Sequence, residues 1–179
     1  MLVLTLPEKE LWDERNMQFI KFKGGTFVFE HSLISISKWE SITKKAFLSK
    51  EKKSSAMDLL YIKCMLMTPN ADQNFIAALS AEDYKKIRDY IADPMTATVV
   101  RTTKRGPQAI NKVVTSEQIY SWMVDLGIPF SCEKWHLNRL LKLIEVCRVN
   151  GSNDKMSKKD IAMQNAALNK ARLRGGRKG

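Results

Sequence analysis

Apolar and polar residues recur with two different periods along this chain, and the period predicts each element. Over Gln18–Glu30, QFIKFKGGTFVFE, apolar residues alternate with polar ones on either side of Gly24-Gly25, as in strands with one dry face. A Gly-Gly pair accepts the positive φ of a tight turn, which predicts a hairpin with Phe22 opposite Phe27 and Ile20 opposite Phe29. Those four share one face, and Lys21, Lys23, Thr26 and Glu30 belong to the other. A lone hairpin is marginal in water. Met1–Leu6, apolar and ended by Pro7, is therefore expected to add a third strand, or a helix to cover the sheet.

Beyond the strands the period lengthens. Ser37 and Glu40 have capping-box spacing and predict a helix to about Phe47, amphipathic around Trp39, Ile42 and Phe47. A charged link, residues 49–55, precedes a helix from Ala56 to Met67 that stops before Pro69. Ser80 and Asp83 cap a third helix through Tyr84, Ile87, Tyr90 and Ile91, halted at Asp93-Pro94. Thr96–Arg101 reads as a short strand and residues 104–112 as a basic loop. Thr115 and Gln118 form another capping box, followed by Ile119, Trp122, Met123 and Leu126 on one face. Gly127 and Pro129 end that helix. Ser131 is the expected cap of a second one, with Leu137, Leu140, Leu141 and Ile144 in its stripe. The connection is short, so residues 115–148 are expected to form an antiparallel helical hairpin. Asn150–Asp154 breaks it, and Ser157 caps a last, Ala-rich helix. The expected fold class is α+β: a small antiparallel N-terminal sheet, a mostly helical body and a basic C-terminal helix. The expected organisation is 1–48 for the sheet and first helix, 49–150 for the helical body, and 151–179 for the basic helix and tail.

Composition changes the picture in one respect. The chain has 179 residues, 44% of them hydrophobic, enough to bury roughly 70% of its unfolded surface. Its net charge is +11 and lopsided. Residues 1–100 carry 14 Lys and Arg against 13 Asp and Glu, whereas residues 101–179 carry 16 against 6. The second half therefore suits an acidic partner or nucleic acid. No apolar run is long enough to cross a bilayer, and MLVLTLPEKE lacks the basic start of a secretory signal. Cys64, Cys132 and Cys147 lie far apart within apolar stretches and read as reduced core residues of a cytosolic protein.

Candidate chemistry is sparse. His31 and His136 are separated by about a hundred residues, with no acidic or cysteine cluster beside either. There is no nucleophile elbow, phosphate loop or dinucleotide fingerprint, so no enzyme and no cofactor is expected. Direct DNA recognition is disfavoured because the helix after Ser131 is apolar around most of its circumference.

The segment WHLNRLLKLIEVC (Trp135–Cys147), followed by KMSKKDIAMQNAALNKAR (Lys155–Arg172), resembles the tail assembly chaperones of long-tailed bacteriophages. So does the N-terminal order of a Gly-Gly hairpin followed by HSLISISKWES (His31–Ser41). The resemblance covers about residues 1–48 and 115–175; residues 50–114 carry none. It implies a non-catalytic protein of the host cytoplasm that keeps the long, helical tape-measure protein soluble until tail-tube subunits polymerise around it. The implied partners are the tape-measure protein, the tail-tube protein and further copies of itself. A family member often has a longer frameshifted product, and this chain is expected to be the short form or to belong to a family without a longer one. A structural tail or neck component, or a nucleic-acid-binding protein acting through the basic half, are the alternatives. Nine Met and four Trp suit a surface that accepts an amphipathic helix. The partner-binding candidates are Trp135, His136, Asn138 and Arg139, with Lys158, Lys159, Asn165, Asn169 and Arg172 in the last helix. The Asn and Arg residues interrupt apolar or Ala-rich helices without improving propensity.

Overall fold

A computed structural model describes residues 1–14, 16–51, 53–98 and 113–151. The chain divides into Met1–Val146 and Cys147–Gly179. The described part of the second unit, residues 147–151, is the end of a helix. The architecture is α+β, with four N-terminal strands followed by helices. The expected strand at 96–101 is absent over residues 96–98; the rest of it lies outside the described residues, as do the basic loop and the C-terminal helix.

The strands are β1 (Leu2–Leu6), β2 (Lys9–Asp13), β3 (Gln18–Phe22) and β4 (Gly25–Phe29). β1 pairs with β4 and β2 with β3, both antiparallel. Leu2 lies opposite Phe29, Leu6 opposite Gly25, Lys9 opposite Phe22 and Asp13 opposite Gln18. One register runs through both pairs. The strands are thus a single long hairpin that reverses between Asp13 and Gln18 and is interrupted once, at Pro7-Glu8 and Lys23-Gly24. This corrects the expected Gly-Gly turn: β3 and β4 follow each other along one arm, and Phe22 does not pair with Phe27. Gly24 does take a positive φ of 69°, but it uses it to bend the arm. A Cβ there would come within 2.7 Å of the Leu6 carbonyl oxygen and 2.8 Å of the Glu8 nitrogen. Only glycine permits that approach.

The buried face survives the correction. Leu4, Leu6, Phe22, Phe27 and Phe29 are all buried, and Ile20 is half-buried. The Phe22 and Phe27 rings stack across the bend with centroids 6.0 Å apart, and Phe75 stacks on Phe27 at 5.6 Å. The free edge of β4 is covered as well. Glu30 N–H donates to the Met65 carbonyl at 2.9 Å, and Met67 N–H to the Val28 carbonyl at 2.8 Å.

The helices are α1 (Leu33–Thr43), α2 (Ser55–Met65), α3 (Phe75–Ala78), α4 (Ala81–Ala92), α5 (Ser116–Asp125) and α6 (Leu137–Gly151). α4 begins with the expected Ser80–Asp83 capping box, both hydrogen bonds formed. α1 begins earlier than Ser37: Ser32 caps it, accepting from Ser35 N–H. α1 packs against α2 and α5. Its Trp39 is 1% exposed, and the indole N–H donates to the Met57 carbonyl at 3.0 Å. Leu33, Ile36, Met65, Ile119, Met123, Leu137 and Leu140 complete this core.

The expected helical hairpin is also corrected. Thr115 caps α5, and Gly127 has φ 64°. Ser131, however, lies inside a 3-10 turn, Phe130–Lys134, and α6 starts only at Leu137. The longer connection lets α5 pack on α1, while α6 is fastened elsewhere: Leu137 N–H donates to the His31 carbonyl at 2.7 Å. Cys64 and Cys132 are buried and free, and Cys147 is partly exposed and free.

Candidate functional site

Residues 30–32, where the hairpin ends and α1 begins, meet the start of α6. Ser32 and His136 form an antiparallel bridge, and the two imidazoles lie 4.9 Å apart. Both histidines are buried and both are engaged. His31 Nδ1 and the Tyr61 hydroxyl share a hydrogen bond of 2.5 Å. His136 Nε2 lies 2.9 Å from the Tyr90 carbonyl. A carbonyl only accepts, so Nε2 carries the proton, and Nδ1 is left to accept from Asn138 N–H at 3.3 Å. Tyr90 in turn donates to Glu30 Oε1 at 2.6 Å, and Glu30 Oε2 pairs with the Met1 amine at 3.1 Å. Burial raises the Tyr61 and Tyr90 hydroxyls well above the usual tyrosine range, so both stay protonated.

The same burial lowers the His31 pKa from 6.5 to about 3, with the His136 and Lys53 charges adding to it. The unfolded chain then takes up a proton near pH 6.5 that the folded chain refuses until about pH 3. Stability therefore falls as pH drops through that window, by up to ~1.4 kcal/mol per unit. Urea unfolding at pH 7 and pH 5 is expected to differ by about 2 kcal/mol from this source. The difference should shrink in His31→Gln; an unchanged pH slope in that variant would count against this assignment.

Asn138 holds the end of α4. Its side-chain amide donates to the Ile91 carbonyl at 3.0 Å and the Asp93 carbonyl at 2.7 Å. These lie where a helix leaves its last carbonyls without partners. Asn138→Ala is expected to cost about 1–2 kcal/mol in thermal or urea unfolding, with α4 as the segment that loses amide-exchange protection.

Between the end of α4 and α6 lies an open groove of about 310 Å³, with Ala92, Pro94 and Leu141 as its apolar lining and Asn138, Lys142 and Glu145 among its polar groups. Lys142 and Glu145 form an ion pair one turn apart. Beside Asn138, the Arg139 guanidinium lies 4.4 Å above the Trp135 ring; Trp135 is half-buried and Arg139 exposed.

The four described candidates thus converge on the start of α6 but divide in role. His136 is buried, and Asn138, half-buried at the edge of the groove, ties α6 to the end of α4. Trp135 and Arg139 remain at the surface, outside the groove's lining. Lys158, Lys159, Asn165, Asn169 and Arg172 lie outside the described residues. Sequence reasoning missed Glu30, Tyr61 and Tyr90, whose partners lie 30 to 60 residues away, and it missed the lining from Ala92 and Pro94. No group of His, Cys, Asp and Glu able to hold a metal occurs among the described residues, and no described helix is long and apolar enough to cross a membrane. No protein-family profile, curated protein or solved structure matches the chain.

Proposed function

We propose that this protein is a non-catalytic chaperone of phage tail assembly that binds the tape-measure protein in the host cytoplasm and keeps it soluble. The observation that carries the reading is the α4–α6 groove, with its apolar lining and its polar groups. An amphipathic helix would set an apolar side chain there against Ala92, Pro94 and Leu141. The motif WHLNRLLKLIEVC, which carries the family resemblance, contributes Asn138, Leu141, Lys142 and Glu145 to that groove. Tail-tube protein is the further partner. The net charge of residues 101–179 adds an electrostatic attraction to an acidic helix that salt weakens.

Co-expression with the tape-measure protein, followed by a solubility and pull-down assay at two salt concentrations, tests this. The partner is expected to become soluble and to co-purify at both. Leu141→Glu, which places a charge in the groove at a half-buried position, is expected to abolish co-purification while the variant itself stays folded by circular dichroism. If the partner still precipitates with the wild-type chain, the reading fails. Retention of nucleic acid that salt removes would instead favour the basic half as the functional element, and recovery of the protein in finished particles would favour a structural tail component.

A further inference from the structure

The end of the hairpin has an outer face of unusual composition. Along β2 and β3 the half-buried residues Leu11 and Ile20 alternate with exposed ones, and α3 packs on β2. The exposed set is Glu10 and Trp12 on β2, and Phe19 and Lys21 on β3. Trp12 is 49% exposed and Phe19 69%. They lie opposite each other, their rings edge to face with centroids 5.0 Å apart. Glu10 lies opposite Lys21, and Lys21 pairs with Glu8 at 2.7 Å. On this face β2 thus carries one acidic residue, Glu10, and β3 one basic residue, Lys21, with the aromatic pair beyond them.

We infer that this face is an interface between two copies of the chain, packed face to face about a twofold axis running along the strands. That axis lays β2 of one copy over β3 of the other without changing the row. Glu10 then meets the partner's Lys21, Trp12 meets the partner's Phe19, and the same contacts repeat on the other side, as a closed twofold interface requires. The other arrangements fail on charge or closure. A twofold axis across the strands sets β2 over β2, and Glu10 near the partner's Glu10. Antiparallel edge-to-edge joining of β2 to β2 about an axis at Lys9 sets Glu8 beside the partner's Glu10, and β3 to β3 about an axis at Lys21 sets Lys21 beside the partner's Lys21; like charges on neighbouring strands are destabilising. Edge joining of β2 to β3 has no closing symmetry. Only the arrangement about the axis along the strands covers the aromatic pair and matches the charges together. Two short strands offer less area than a standard interface, roughly 800 Å² per partner, so the dimer dissociates on dilution and weakens with salt.

Sedimentation equilibrium of the purified full chain over a wide concentration range is the test, and it involves no other protein, so its outcome is independent of the chaperone reading. The wild type is expected to dimerise reversibly. Glu10→Lys and Lys21→Glu are each expected to be monomeric, because each turns both of the interface's Glu10–Lys21 contacts repulsive. An equimolar mixture of the two variants is expected to recover the dimer, since every such contact is again between opposite charges. Trp12→Ser with Phe19→Ser is expected to be monomeric with an unchanged melting temperature, both side chains being exposed. A wild type that stays monomeric throughout overturns the inference. So does a dimer that persists in the Trp12/Phe19 variant, or a mixture of the charge variants that stays monomeric.

Discussion

Glu40→Ala is expected to lower the unfolding free energy by about 4 kcal/mol, from the ~1–3 kcal/mol that each buried amide left without an acceptor costs. Glu40 is 8% exposed, and its two carboxylate oxygens serve different parts of the chain. Oε1 accepts from Phe47 N–H at 2.7 Å, and Oε2 accepts from Ser116 N–H at 2.7 Å. The first contact fixes the chain just after α1. The second sits at the N-terminus of α5, where the helix dipole favours a negative charge. Ser116 is fully buried and Phe47 nearly so, so water has little access to either amide once the carboxylate is gone. Glu40→Gln keeps one acceptor and turns an NH2 group toward the other amide, so about half the loss is expected. The measurement is urea unfolding with the slope held constant. A loss below about 1 kcal/mol in Glu40→Ala would mean that the two amides find other acceptors.

Gly24→Ala is expected to cost about 3 kcal/mol, from two separable sources. An L side chain at φ 69° costs roughly 1–2 kcal/mol by itself. The new methyl would also stand 2.7–2.9 Å from backbone atoms of Leu6, Pro7 and Glu8. Backbone in a paired strand yields less readily than a side-chain end, and overpacking of this kind costs roughly 1–3 kcal/mol. Gly127 isolates the first source: its φ is 64°, and nothing lies within 4 Å of a Cβ built there. Gly127→Ala is therefore expected to lose only about 1–2 kcal/mol. Equal losses at the two positions, read by thermal unfolding, would remove the close approach as a cause.

These two sites also mark where sequence reading succeeds and where it stops. Gly24-Gly25 announces positive φ, and positive φ is present, but a dipeptide does not say whether the chain reverses or bends. The alternation around it is compatible with both. Phe22 and Phe27 share the buried face in either case, so the apolar cluster is legible even where the pairing is not. Ser80 and Asp83 are legible because a capping box is closed within four residues. Ser37 and Glu40 have the same spacing, yet Ser32 caps the helix and Glu40 is drawn to Ser116, 76 residues away. Pairings over that distance leave no periodic trace. The site follows the same rule. The start of α6 is legible from its apolar stripe, and so is the presence there of Trp135, His136, Asn138 and Arg139. Which of them are fastened to the end of α4 is set by Tyr90, Ile91 and Asp93, and no local pattern reports that. The exposed Trp12 and Phe19 hide in a stretch with too few alternating positions before the turn.

The single register of the N-terminal arm has a consequence for how the chain acquires its structure. Contacts in the hairpin grow steadily in sequence separation, from Asp13 and Gln18 at the tip to Leu2 and Phe29 at the base. Such a ribbon can close row by row from its turn, each step needing only a small further loss of loop entropy. It can do so as soon as the first thirty residues leave the ribosome. The base of the ribbon is different. Glu30 waits for Met65 and Phe27 for Phe75, so the aromatic face stays open to solvent until those residues have been made, and His31 waits longer, for Leu137. Chain elongation at roughly 5–20 residues per second leaves that interval seconds long. The slowest-forming part of this fold is thus expected to be the junction at residues 30–32, and an early ribbon with an uncovered base is the species in which aggregation competes with folding.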